Sequence, residues 1–180
     1  MRHKISVQTV IKVTAVFAFM LTLLLYSRAE SALASYSGGL GTLDMRYLGY
    51  TPGDAMQLFN TIGPLGRTLY IKLLAIDYAF IISFTAVQII ILNRILQQDL
   101  IKSRWKYVHV ASYVRAILDS VENAILLYLL TACPADALIW IPICSLSTVL
   151  KFSALGVWAL CTLAAFITKR RYKNQRRLHT

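Results

Sequence analysis

The chain has 180 residues, of which 57% are hydrophobic and only 15% charged, with a net charge of +11. About a quarter of the residues in a soluble domain are charged, so this composition excludes an ordinary water-soluble globule. Nucleic-acid binding is also disfavoured, because the positive charge sits in short segments flanking apolar runs and not on a folded polar surface.

The first apolar run, VIKVTAVFAFMLTLLLY at residues 10–26, follows a basic start holding Arg2, Lys4 and Lys12. It approaches the roughly 20 residues a membrane span needs. Ala32-Leu33-Ala34 resembles a signal-peptidase site, so a cleaved leader is the alternative. Arg28 and Glu30 intervene, and the run is long for a leader. An uncleaved span is therefore the expectation.

Residues 27–68 form the one sizeable segment outside the apolar runs, and their charges cancel: Arg28, Arg46 and Arg67 against Glu30, Asp44 and Asp54. SYSGGLGTLD reads as a flexible connection. In GYTPGDAMQLFNTIGPLGR, Thr51 suits an N-cap, Pro52 a first helical position, and Asp54 completes a capping-box pattern. Ala55, Leu58, Phe59 and Ile62 recur at helical spacing, and Gly63-Pro64 should end the element. The expectation is a short amphipathic cap helix on the outer face, either shielding the bundle or gating a cavity.

The second span is expected at residues 69–92, followed by a basic loop at 93–106 with Arg94, Lys102, Arg104 and Lys106 against Asp99. The third is expected at 107–130. Its core, VRAILDSVENAILLYLL, carries Arg115, Asp119, Glu122 and Asn123 on one helical face. The next connection holds only Asp136. The fourth span is expected at 143–168, ahead of a tail at 169–180 with six basic residues in KRRYKNQRR. Such a tail fixes topology and favours anionic lipid. Basic and non-basic segments alternate, so the positive-inside rule puts both termini in the cytoplasm. The expected fold is an all-α integral membrane protein, a four-transmembrane-helix bundle in a single membrane domain over 1–180.

Charged side chains facing lipid cost several kcal/mol, so the polar face of the third span should point inward. The second span offers Asp77 and the fourth Lys151. Each of Asp77, Glu122 and Lys151 lies eight residues from the outer end of its run, about 12 Å deep at 1.5 Å per residue. They are expected to form one layer, with an Arg115–Asp119 pair below it. Lys72 lies off the Asp77 face and should snorkel to the interface. The network is Asp77, Arg115, Asp119, Glu122, Asn123 and Lys151. It serves either to fix helix register or to mark a ligand, ion or proton path.

No histidine pair has metal-ligand spacing, no C-x-x-C is present, and Ser83 and Ser120 lack a nearby base. Cys133 and Cys144 flank a short connection and could pair if it lies outside the cytoplasm, but two unpaired thiols are the expectation. No phosphate loop or dinucleotide fingerprint occurs, so neither metal nor cofactor is expected. Membrane lipids are the expected partners, together with partner membrane proteins or further copies of the chain. The leading expectation is a binding or transport-type membrane protein or a subunit of a membrane complex. The rival is an intramembrane enzyme using Asp77, Asp119 and Glu122 for acid/base chemistry on a lipid-like substrate.

Overall fold

The computed structural model describes residues 6–96, 105, 107–132 and 137–178, with 137, 138 and 172–178 as backbone alone. The basic positions 2, 4, 102, 104 and 106, with Asp99, Cys133 and Asp136, lie outside the described residues. The described chain is all-helical: α1 (Val7–Ser37), α2 (Pro52–Ile95), α3 (Val108–Ala132) and α4 (Ala137–Leu178). Three are long and apolar enough to cross a membrane: α1, α2, and α4 over Ile139–Arg171. The three charges of α3 separate it from that group.

α1 starts at Ser6, whose side chain accepts a hydrogen bond from the Thr9 amide, and ends at left-handed Gly38, φ 59°. It therefore runs eleven residues past the expected span end at 26 and absorbs the first part of the expected outer loop. Arg28, Ala29, Glu30, Ala32, Leu33 and Ala34 are compatible with helix, and Leu33 packs into the core. The Ala32-Leu33-Ala34 motif is thus helical, with its central residue buried.

The expected cap helix forms, but it is continuous with α2. The Thr51 hydroxyl accepts from the Asp54 amide at 3.2 Å, and Asp54 Oδ2 accepts from the Thr51 amide at 2.8 Å. Hydrogen bonds from the Thr51 side chain and backbone hold the Asp54 carboxyl below its ordinary pKa. Ala55, Leu58, Phe59 and Ile62 are all buried. Gly63-Pro64 bends the helix instead of ending it: Gly63 takes φ 59°, ψ −171°, and the helix resumes at once. Proline suits the first position of that second limb, since its missing N–H would have no partner there. Arg67 Nη2 donates to the Phe59 carbonyl across the bend at 3.4 Å.

α1 packs on α2, α3 packs on α4, and α2 touches both members of that pair. The main core joins Leu33, Leu58, Leu73, Leu74, Leu126 and Ile141. A smaller cluster of Leu92, Leu96 and Val108, flanked by Trp105 and Trp158, closes the opposite end. Gly66 lets α1 approach α2 closely, as a Cβ there would fall 3.2 Å from the Tyr36 Cβ.

The link between α1 and α2 is not the flexible tether its composition suggests. Thr42, Leu43, Asp44 and Tyr50 are buried. Left-handed Gly49 (φ +87°) sits against α4, where a Cβ would meet Ser145 Oγ at 3.0 Å. The Tyr50 amide donates to that same hydroxyl at 2.8 Å. Folding therefore draws the loop into the bundle between α1, α2 and α4.

Candidate functional site

α3 positions the site because its heptad spacing separates two chemistries. Ser112, Arg115, Asp119, Glu122 and Asn123 are buried, while Val110, Tyr113, Val114, Ile117 and Val121 are exposed. The arrangement reverses that of a water-soluble helix, where the charged side chains would cover the outer face.

The polar face is tied to its neighbours by short bonds. Arg115 Nη1 pairs with Asp119 Oδ2 at 2.8 Å, and Lys151 Nζ from α4 reaches Asp119 Oδ1 and Glu122 Oε2, each at 2.7 Å. Arg115 also donates to Thr85 Oγ1 at 2.9 Å and to the Ile81 carbonyl at 3.3 Å, both on α2, and lies 4.6 Å from the Phe84 ring centre. Glu122 Oε1 accepts from the Thr148 hydroxyl of α4. Such distances mark charge-assisted hydrogen bonds.

Asp77 stands apart from these ion pairs. Its Oδ2 accepts from Asn123 Nδ2 at 2.7 Å, and no cation reaches it among the described residues. The expected Asp77–Glu122–Lys151 layer is therefore split. Lys151 joins the two acids of α3, and Asp77 takes the amide of Asn123 instead. Equal depth along three helices does not fix the azimuth of each side chain. Lys72 is exposed, as its position off the Asp77 face implies.

One further carboxylate joins the site that sequence reasoning placed in a solvated loop. Asp44 is 2% exposed. Its Oδ1 accepts from the Tyr70 hydroxyl at 3.0 Å, and its Oδ2 accepts from the Tyr26 hydroxyl. Tyr70 in turn accepts from the Leu43 amide at 2.8 Å, which anchors the loop beside Asp44. The signal in sequence was faint: Asp44 follows a glycine-rich run and precedes a hydrophobic Met45, with nothing periodic around it.

These groups surround a cavity of about 180 Å³. Asp44, Asp77, Arg115, Asp119 and Lys151 form its polar wall, and Phe80, Phe84, Phe152, Leu23, Met45 and Leu155 its apolar one. Glu122 and Asn123 stand behind the wall and do not line it. α1 and α4 flank the cavity with little direct contact between them, and Leu23 and Met45 at its edge are exposed. Thr51, Pro52, Asp54, Leu58 and Phe59 of the cap lie outside the lining. Among the described residues no group of histidine, cysteine and acidic side chains could hold a metal ion, and Cys144 and Cys161 are free thiols.

No protein-family model, no curated protein and no solved structure matches the chain.

Proposed function

We propose that the chain is a four-span integral membrane protein with both termini in the cytoplasm, and that it binds or moves a small ligand held in the cavity between its helices. α3 supplies the fourth span in this reading. Its 25 residues reach roughly 37 Å, enough for a hydrocarbon core of about 30 Å. Its charges face protein and its apolar side faces outward.

The observation that carries the binding reading is the cavity itself, bounded by ionisable side chains from α2, α3, α4 and the loop. A charge network that served only to fix register would be packed shut. Pockets that combine apolar walls with a few convergent polar groups are where small molecules bind. An acid/base enzyme is less well supported. Asp119 is held by two cations and Glu122 lies behind the wall, so only Asp77 remains of the expected trio.

A cysteine at Leu155, with Cys133, Cys144 and Cys161 replaced by alanine, tests this in nanodiscs. The uncharged hydroxyethyl methanethiosulfonate should label Leu155→Cys, whereas Leu74→Cys in the closed core should stay unlabelled. Equal protection of the two would remove the cavity and the reading with it.

A further inference from the structure

Charge balance at the site points to the ligand's chemical class. The buried ionisable side chains among the described residues include four carboxylates, Asp44, Asp77, Asp119 and Glu122, but only two cations, Arg115 and Lys151. Both cations are spent on Asp119 and Glu122. Asp44 and Asp77 line the same cavity as these cations, but among the described residues neither forms an ion pair. Asp44 is satisfied by two tyrosine hydroxyls. Asp77, only 5% exposed, has one oxygen bonded to Asn123, and its Oδ1 accepts no hydrogen bond among the described residues. An uncompensated carboxylate in a low-dielectric site is costly, and a bound cation removes that cost.

The rest of the lining selects among cations. A bare divalent metal needs about six oxygen ligands, and this cavity offers few beyond its carboxylates. It presents instead the rings of Tyr26 and Phe80, whereas Phe84 and Phe152 already face Arg115 and Lys151. Aromatic faces attract ammonium groups, most strongly when these are desolvated. Leu23 of α1 and Met45 of the loop, at the edge of the cavity, are exposed apolar side chains, which suits a ligand with a hydrocarbon body.

We infer that the cavity takes an organic ammonium, its charged head between Asp77 and Asp44 against the aromatic rings and its apolar body toward the cleft between α1 and α4. This rests on the ligand-binding reading above and narrows it to cations.

The Leu155→Cys protein in nanodiscs separates the two ideas. Its labelling rates with the trimethylammonium-ethyl and the sulfonato-ethyl methanethiosulfonates are each divided by the rate with free mercaptoethanol. The cationic reagent should lead by at least about tenfold, as unpaired charge at low dielectric supplies. Asp77→Asn keeps the size of the side chain and its bond from Asn123, and should collapse that preference without changing the rate of the uncharged reagent. Benzyltrimethylammonium should slow the uncharged reagent in the parent protein and not in Asp77→Asn. Equal rates for the two charged reagents would overturn the ammonium assignment and leave the cavity reading standing. So would a preference that survives both Asp77→Asn and Asp44→Asn. Failure of the uncharged reagent to react would overturn both.

Discussion

Lys151 is the residue on which the polar wall turns, since its ammonium bridges Asp119 and Glu122 at 2.7 Å each. Removing it strands two carboxylates away from water. Breaking a buried pair from one side costs about 3–5 kcal/mol, while removing both ends costs less. Lys151→Met should therefore lower the melting temperature in nanodiscs sharply. Adding Glu122→Gln should restore part of the loss, and adding Asp77→Asn should change the melting temperature by no more than it does alone. Alone, Asp77→Asn should be neutral or stabilising, because Asp77 has no cation to lose. A rescue by Asp77→Asn in place of Glu122→Gln would show that Lys151 is paired differently. Sequence reasoning reached the members of this cluster because charges are conspicuous in apolar runs. It reached the Arg115–Asp119 pair, which a spacing of four sets, but not the sharing of Lys151 between Asp119 and Glu122 with Asp77 left out. A rise of 1.5 Å per residue gives depth, whereas partner choice depends on helix rotation, which only packing decides.

At the scale of elements, the loop between α1 and α2 departs furthest from its sequence. Glycine, serine and threonine signal freedom when they are read locally, yet Leu43 and Thr42 are buried and Tyr50 is latched to Ser145. What closes the loop is long-range contact with α2 and α4, which leaves no periodic trace. Gly49 tests the latch. An alanine there must adopt a left-handed φ and also meet Ser145 Oγ at 3.0 Å. The backbone term alone is about 1–2 kcal/mol. Gly49→Ala should speed hydrogen exchange at the amides of Thr42, Leu43 and Asp44 while α3 keeps its protection. Unchanged exchange in the loop would mean that contacts elsewhere hold it. The α2 cap was legible for the opposite reason. Its capping box and four apolar positions are local features, and only the continuation through Gly63 was missed, because glycine-proline ordinarily ends a helix.

For the whole molecule, four helices follow from four long apolar stretches, and the inside-out polarity of α3 follows from its three charges. The extra helical turns of α1 beyond residue 26 were less visible, since Arg28 and Glu30 interrupt the apolar run although both residue types are good helix formers. Membrane orientation rests on the basic segments. In a cysteine-free background, an impermeant maleimide applied from outside should label Leu48→Cys and spare Lys102→Cys and Asn174→Cys until the membrane is opened. Labelling of all three from one side would overturn the four-span topology.

Asp44 reaches the interior from a loop and not along a helix, and that has a consequence for how the protein is made. In the proposed four-span arrangement, a charge carried within a span would have to be accepted by the insertion machinery as the helix enters lipid, as Asp77 and the acids of α3 would be. Asp44 faces no such step. In that arrangement it would stay in water while the spans insert and be buried only when the loop makes its contacts with Tyr70 and Ser145. Insertion and completion of the site would thus be separate events in biogenesis. A chain with every span in place but its loop undocked would be correctly oriented and still lack one of its two unpaired carboxylates.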